Sequence, residues 1–561
     1  MILRVDMTTQ CIYTEEIPND YIGLGGRGFT SIMINNEVVP DCNPVDSYNR
    51  LIFAPGFLTG TPLVNTGRLS IGAKSPLTGG IKESNVGGTM ANALARHGVT
   101  AIIIEGMAPD DALFFLKING DSSVELVGAN HCRGMRNYDL TEKLLVEYGT
   151  KNSISSIGPA GELQLLSATI QTTDTDGKPC RSAGRGGLGA VMGSKGLKAL
   201  VVSKEGKATR SIVDFVTFKE VSKQFASAIK NDGWSGRVLP EFGTASNVAN
   251  INALGALPTM NARKGSFDGA EKISGKIMAE TIKLRGGKTV HKGCSQCVIN
   301  CSNIYVDKAG KPVTSSLEYE TIWAMGAMIE NSDLDAIARL DFLCDDIGLD
   351  TMNMGTAVAV AMDSGYKSFG DAAAAIDMVE EVAKGTKLGR IIGDGPDSVG
   401  KHFGNSRVPT VKGQSIAGYD PRAMQGMGVT YATSPMGADH TAGFVGGGSS
   451  TAALIRASQS SQIHMAAIDS TGLCMFAQSG GLDNLFQAIS AVTGKDFGKR
   501  EWQELGVRCL TAEVQFNRRA GLTKEDDRLP AMFYKEKLAP NHGTVTFTGE
   551  ELDATMAPFN Q

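Results

Sequence analysis

The pattern of apolar and polar positions changes character near residue 210. Before it, short apolar runs bounded by Gly, Pro or Asp dominate: "MILRVDM" (1–7), "RLSIGAK" (68–74), "TAIIIEGM" (100–107), "ALFFLKI" (112–118) and "KALVVSK" (198–204). Runs of this length and composition read as strands. After it, apolar residues recur with helical spacing in "TFKEVSKQFASAIKN" (217–231), "DLDAIARLDFLCDDIG" (333–348), "GDAAAAIDMVEEVAKGT" (370–386) and "TAALIRASQSSQIHMAAIDS" (451–470). A loop-rich stretch at 397–426 marks a second break. The pattern predicts a β-rich part over 1–209 and mainly helical parts over 210–415 and 416–561, an α+β chain. It shows no short-period repeat.

Two helical segments end alike. "DDIGLD" (345–350) and "DSTGLC" (469–474) both fit Asp-x-x-Gly-Leu. Glycine at that place suits a left-handed helix C-cap, which leaves the following amides and the nearby Asp open to a ligand. Taken alone, so short a coincidence is better explained by two ordinary helix ends, but the second copy finishes on Cys474.

Composition narrows the class. At about 150 residues per domain, the length corresponds to three or four domains. With 54 basic and 59 acidic residues intermixed, net charge −5, and no long basic run, nothing favours nucleic acid. The start, "MILRVDMTTQ", lacks a basic segment followed by an apolar core, and no apolar run approaches the roughly 20 residues that span a bilayer. The expectation is a reducing cytoplasmic setting, where ten cysteines stay free thiols. The 68 glycines are an excess that concentrates in "GLGGRG" (23–28), "SNVGGT" (84–89), "GRGGLGAVMGSKG" (184–196) and "GFVGGGSS" (443–450). Clustered glycine lets main chain approach a large polar ligand closely. "GRGGLG" and "GLGGRG" match G-x-G-x-x-G, but neither follows a recognisable strand, which argues against a dinucleotide fold. Their successive amides still suit an anion.

The chemistry-bearing run is "HKGCSQCVINC" (291–301), with Cys294, Cys297 and Cys301. Three thiols within eight residues read as metal ligands one short of a set. Tetrahedral zinc would add His291 or Cys474. An iron–sulfur cubane would add one remote cysteine. His440 in "GADHTAG" and the Glu318/Glu320 pair in "SSLEYETIWAMG" are candidate acid–base groups. Two carboxylates at i, i+2 share a face of a strand. On a helix they diverge by about 200°, so at most one would face a site.

Taken together, "GGRG", "FAPGFLTGT", "NTGRLSIGAKSPLTGGIKESNVGG", "AGRGGLGAVMGSKGLKAL", "GALPTMN", "CSQCVINC", "LEYETIWAMG", "DDIGLD", "DSTGLC" and "FNRRAGLTKEDDRLPAMF" run in one order over roughly residues 20–540. In that order the chain resembles the tungsten-containing aldehyde:ferredoxin oxidoreductase family. The resemblance implies an N-terminal domain of two β-sheets forming a cleft for a bis-pterin tungsten or molybdenum cofactor, closed by two helical domains. It implies a 4Fe–4S cluster on Cys294, Cys297, Cys301 and Cys474. It assigns one pterin to Asp345 with Leu349 and the other to Asp469 with Leu473. Arg68 would lie between cluster and pterin, Asn85 and Gly87 would hold phosphates, and Arg181 and Ser182 would do so from the opposite side. The Asn85 and Ser182 carbonyls would meet a bridging Mg²⁺, a cation that prefers oxygen ligands. Glu320 and His440 become acid–base residues beside the metal.

The implied reaction is oxidation of an aldehyde to a carboxylic acid, with electrons leaving through the cluster to ferredoxin or an iron–sulfur partner subunit. The same cofactor also serves the family's aromatic acyl-CoA reductase branch. A non-catalytic metal-cluster scaffold is the reading of another class. No His has Glu three residues before it, so the interface iron of some members is not expected. The oligomeric state, homomeric or heteromeric, stays open.

Overall fold

The computed structural model describes residues 1–559. Twelve strands build the N-terminal part: β1 (Ile2–Asp6), β2 (Cys11–Glu15), β3 (Leu51–Pro55), β4 (Leu69–Lys74), β5 (Ile81–Val86), β6 (Ala101–Glu105), β7 (Phe114–Ile118), β8 (Val124–Gly128), β9 (Asn152–Ser156), β10 (Ile170–Thr172), β11 (Arg181–Ala183) and β12 (Leu197–Ser203). They form two six-stranded sheets, ordered β2-β1-β6-β3-β4-β5 and β8-β7-β12-β9-β10-β11. Adding six to each strand number of the first sheet gives the second. The directions match as well: β1 runs parallel to β6 and β7 to β12, and the other pairs are antiparallel.

The N-terminal part is therefore a topological duplication, which the sequence pattern did not expose. The helices repeat too. Gly26–Glu37 precedes β3 as Asn137–Tyr148 precedes β9, and Met90–Ala95 precedes β6 as Leu188–Ser194 precedes β12. Each half pins the other reciprocally. His97 Nε2 donates to Ser203 O at the end of β12 (2.7 Å), and Lys195 Nζ donates to Gly106 O just past β6 (3.1 Å) and to Asn49 O (2.6 Å). Burial lowers the Lys195 ammonium to about 8, an effect the carbonyls meet with hydrogen bonds. Phe53, Ile71, Leu116 and Leu200, from both sheets, fill one shared core.

"GRGGLG" corrects one expectation. A strand does precede it, the three-residue β11, and the helix Leu188–Ser194 follows. It is still not a dinucleotide fold, because β11 and β12 are not neighbours and, traced through β10 and β9, run antiparallel. That motif needs adjacent parallel strands. "GLGGRG" opens the helix Gly26–Glu37.

The rest is mainly helical, as the periodicity predicts, with Phe215–Asn231, Leu334–Ile347, Ala372–Lys384 and Thr451–Thr471 on the four marked segments. The loop-rich stretch 397–426 begins inside a short helix, Pro396–Phe403, which Pro396 starts and Gly404 (φ 69°) stops. A three-stranded sheet, Lys288–His291, Ser302–Val306 and Pro312–Ser315, carries the cysteine run between its first two strands. The duplication governs how helices dock. Helix Thr451–Thr471 packs on Gly26–Glu37 of the first half, and Leu334–Ile347 packs on Asn137–Tyr148 of the second. Among the described residues, no helix is long and apolar enough to cross a membrane.

Candidate functional site

The two Asp-x-x-Gly-Leu segments end their helices as expected, on left-handed Gly348 (φ 82°) and Gly472 (φ 78°). Each end is stitched by backbone to one half of the β part. Phe57 N and Leu58 N donate to Ser470 O (3.0 Å) and Thr471 O (2.9 Å), and Arg68 N donates to Gly472 O (3.1 Å). On the other side, Thr169 N donates to Gly348 O (2.9 Å) and Asp350 N to Ser167 O (3.0 Å). The approach needs glycine. A Cβ on Gly56 would fall on the Gly472 backbone, and one on Gly158 on the carbonyl of Ile347. Leu349 and Leu473 are buried. Asp345 and Asp469 are buried too, and their carboxyls resist ionisation: burial, then the charge of Asp341, raises Asp345 well above the carboxylate range, and burial, then Glu83, raises Asp469 to about 8. A neutral carboxylic acid can donate a hydrogen bond to a bound heterocycle. Arg27, gripped by Glu513 at 2.9 Å through two nitrogens, lies 3.4 Å from Asp469.

The four cysteines meet where the first half touches the second motif. Beside burial, neighbouring charges raise three of the thiols: Glu318, then Cys474, Cys297 and Cys294, act on Cys301, Cys297 and Cys294 act on Cys474, and Cys294 acts on Cys297. Burial is the larger cause throughout and pushes Cys474 up to about 11. Asn65 Nδ2 donates to Cys297 Sγ (3.3 Å), and Cys474 N donates to Asn65 O (2.8 Å). His291 is not part of this ring. Its Nε2 meets the Asp174 carboxylate at 3.0 Å. Among the described residues, no three His, Cys, Asp or Glu side chains converge on a single metal ion.

Asn85 and Ser182 occupy equivalent places in the duplication. Asn85 of β5 pairs with Ser70 of β4, and Ser182 of β11 pairs with Gln171 of β10. These two edge strands lie side by side. Arg68 spans the gap to the thiols. Its Nε and Nη2 donate to Asn85 Oδ1 (2.5 Å) and Asn85 O (3.1 Å), and the charges of Cys474 and Cys294, acting against burial, raise its pKa. A Cβ on Gly87 would stand 2.5 Å from Cys294 Sγ and 3.0 Å from Arg68 Nη1. Arg181 turns toward the cysteine sheet, with Nη1 donating to Ser316 Oγ (2.7 Å), Nη2 to Ser302 Oγ, and Glu318 at 3.6 Å.

Glu320 lies in the helix Tyr319–Met325, and Glu318 caps it. Glu318 is extended and lies just outside the helix, so the pair does not share it; Glu318 turns toward Arg181 and Glu320 toward His440. Glu320 Oε1 is 3.4 Å from His440 Nε2, and Oε2 accepts from Gly418 N at 2.9 Å. Burial raises the Glu320 pKa, opposed by His440 and the Gly418 amide. Tyr319 donates to Gly418 O (2.5 Å) and Tyr431 to Tyr419 O (3.3 Å), which fixes the turn that holds Glu320. The loop bearing His440 is anchored one residue earlier, where Asp439 accepts from Lys82 Nζ of β5 at 2.7 Å.

The sequence reasoning missed Lys82, Asp439, Arg185 and Asp350. Arg185 donates to Ser415 O and to Ala438 O (2.9 Å), and its Nε stands 3.5 Å from Asp350. A signal existed: charged residues inside glycine-rich runs, as in "GRGG" and "GADH". Arg181 Nε, Arg185 Nε, Asp350 Oδ2, Glu320 Oε1 and His440 Nδ1 are buried without hydrogen-bond partners. Leaving such atoms open costs about 1–3 kcal/mol each. Open donors on Arg181 and Arg185 beside open acceptors on Asp350 and Glu320 suit a polar guest that both accepts and donates hydrogen bonds.

Comparison with known proteins agrees along the chain. Residues 2–204 match the family model of the aldehyde ferredoxin oxidoreductase N-terminal domain, and residues 220–557 that of its domains 2 and 3. The chain is 33% identical to the tungsten-containing aldehyde ferredoxin oxidoreductase of Pyrococcus furiosus, over 96% of this chain and 92% of that one. It is 24% identical to the WOR-like subunit of an aliphatic sulfonate oxidoreductase from the same organism, over 91% and 84%. The active site complex BamBC of benzoyl coenzyme A reductase, solved with 1,5 dienoyl-CoA, has the same fold, with a TM-score of 0.82 at 20% identity over 100% of this chain and 94% of that one. The duplicated β part, the two glycine-capped helix ends and these matches make the chain a member of the aldehyde ferredoxin oxidoreductase family.

Proposed function

We propose that this chain oxidises an aldehyde to a carboxylic acid, R–CHO + H₂O → R–COOH + 2H⁺ + 2e⁻. Cys294, Cys297, Cys301 and Cys474 would hold a 4Fe–4S cluster, which would supply one-electron transfer to ferredoxin or an iron–sulfur partner subunit. The observation that carries the reading is the Glu320–His440 pair, in which Glu320 Oε1 faces His440 Nε2 at 3.4 Å while neither Oε1 nor His440 Nδ1 makes a hydrogen bond, among other buried unpartnered polar groups. A tungsten or molybdenum bis-pterin group bound there supplies the two-electron sink. Asp345 with Leu349 and Asp469 with Leu473 would hold the two pterins. Arg68, Gly87, Arg181 and the carbonyls of Asn85 and Ser182 would hold phosphates and Mg²⁺.

The thiols favour a cluster over zinc. A single tetrahedral zinc draws its donors to about 2.3 Å from one ion, and among the described residues no three His, Cys, Asp or Glu side chains are grouped to hold one ion. A cubane spreads four cysteines more widely. In the chemical step, Glu320 Oε1 takes a proton from the attacking water, general base catalysis worth about 10²–10⁴-fold. The raised pKa of Glu320 makes it a stronger base than a free carboxylate. His440 orients the substrate oxygen, and the Asp439–Lys82 pair keeps its loop in place.

Anaerobic purification, elemental analysis and an aldehyde panel test the proposal. Two pterins per tungsten or molybdenum, about four irons per chain and aldehyde turnover are expected. One pterin per metal, a nucleotide-bearing pterin, or fully loaded protein inert toward every aldehyde would overturn it.

A further inference from the structure

The run that carries three of the four thiols is held under constraint. Gln296 and Asn300 both take left-handed backbone (φ 56° each), a conformation that residues with side chains keep only where the surroundings impose it. Both halves of the β part supply those surroundings, and they divide the run between them. The first half holds the interior. Ser295 N donates to Gly88 O (3.0 Å), Asn65 N to Gln296 O (3.1 Å), Val298 N to Asn65 Oδ1 (3.2 Å) and Asn92 Nδ2 to Gln296 Oε1 (3.0 Å). The second half holds the ends, through the connection between β10 and β11 and the first residue of β11. Thr175 Oγ1 donates to Lys292 O, Arg181 Nη2 to Ser302 Oγ, and His291 Nε2 to Asp174 Oδ2 (3.0 Å). His291 also pairs by backbone with Cys301 and Ser302, so its bond to Asp174 grips both ends of the run at once.

Asp174 is built as a fixed anion. It is wholly buried, and His291 is buried against it. Four donors converge on its carboxylate: the amides of Asp176 and Lys178 on Oδ1 (2.9 Å each), and the Cys180 thiol (3.5 Å) and the His291 ring on Oδ2. Burial opposes its charge, yet the His291 bond, the Lys178 amide and Arg181 outweigh burial and hold the carboxyl below its usual range. Hydrogen bonds to an ionised acceptor are about twice as strong as neutral ones. The aldehyde chemistry uses neither residue.

We propose that Asp174 and His291 are positioning residues for the 4Fe–4S cluster. Their hydrogen bond locks the thiol run to the second half, and so fixes Cys294 and Cys301 relative to Cys474, whose amide donates to Asn65 O of the first half (2.8 Å). The cluster is thereby strung across the joint between the two halves. This rests on the reading of the four thiols as a cluster site.

The test compares holoenzyme carrying His291→Ala, His291→Gln or Asp174→Asn with wild type. Each is reduced anaerobically, titrated for the cluster's midpoint potential by paramagnetic resonance, and then exposed to an iron chelator. His291→Ala should release iron about tenfold faster or more, as loss of a charge-assisted hydrogen bond implies. Its resonance spectrum should broaden and its potential should move, because the geometry and hydrogen bonding around the sulfurs set both. His291→Gln, whose amide can still donate to Asp174, should recover most of the loss. Wild-type iron release, spectrum and potential in His291→Ala would overturn the positioning role. So would a His291→Gln variant as impaired as His291→Ala, since the bond to Asp174 would then not be the cause. If His291→Ala does not fold, Asp174→Asn decides, because it keeps the shape and removes the charge; wild-type behaviour there overturns the proposal. Wild-type protein that holds no iron would overturn the cluster reading itself, and the proposal with it.

Discussion

The two halves of the β part share one strand order and one set of helices, yet they meet different chemistry. Each offers a glycine, Gly56 or Gly158, to a helix ending in Asp-x-x-Gly-Leu. The residue after that leucine differs. On the first half it is Cys474, within charge reach of Arg68, Cys297 and Cys294. On the second it is Asp350, which caps the helix Thr351–Asp363 and faces Arg185 at 3.5 Å. Arg185 in turn acts on Glu320. The two halves thus carry equivalent clasps, and single residues at equivalent places differ: a thiol follows one and a carboxylate that faces Arg185 follows the other.

The largest expected effect follows from that one position. Cys474→Ser should remove most of the cluster's paramagnetic resonance signal and lower iron per chain. Asp350→Asn should leave both intact. Equal iron in the two variants would break the comparison. Next, Glu320→Gln should lower kcat by about 10²–10⁴-fold and His440→Asn should lower it strongly, with tungsten and iron contents normal. Metal-free protein from either would make that residue structural.

Gly56→Ala and Gly158→Ala probe the equivalence itself. Each forces a Cβ onto opposing backbone, an overpacking worth about 1–3 kcal/mol or more. The two should lower the thermal midpoint comparably, and a drop confined to one would show that the clasps are unequal. The pH profile of kcat gives a smaller effect. Glu320 serves ionised and its pKa is raised, so activity should fall as pH drops through a value above the ordinary 4.5. An acid limb at or below 4.5 would contradict burial as the cause. Smallest of all, Glu318→Gln should be mild, because Glu318 faces Arg181 and not His440.

Much of this was readable along the chain. The strand runs, the four long helices and both left-handed caps follow from local patterns, because hydrophobic period and glycine conformation are local properties. The duplication was not readable, although "GGTMANALARHGVTAIII" (87–104) and "GGLGAVMGSKGLKALVV" (186–202) carry a faint trace of it. Strand order is set by pairing across distant residues, and many side-chain sets satisfy the same pairing. The three-residue β11 escaped notice for a similar reason: it owes its existence to β10 and not to its own composition.

By itself the sequence determined the residue types of the site, the three-thiol run, the repeated helix ends and, through its order of motifs, the family. Only the tertiary structure brought Cys474 to Cys294, 180 positions apart in sequence, set aside His291, and turned Glu320 rather than Glu318 toward His440. It also revealed Lys82–Asp439 and Arg185–Asp350. Ion pairs and ligand rings depend on distance in space, and a chain folded by nonspecific burial of apolar surface does not write those distances into its local pattern.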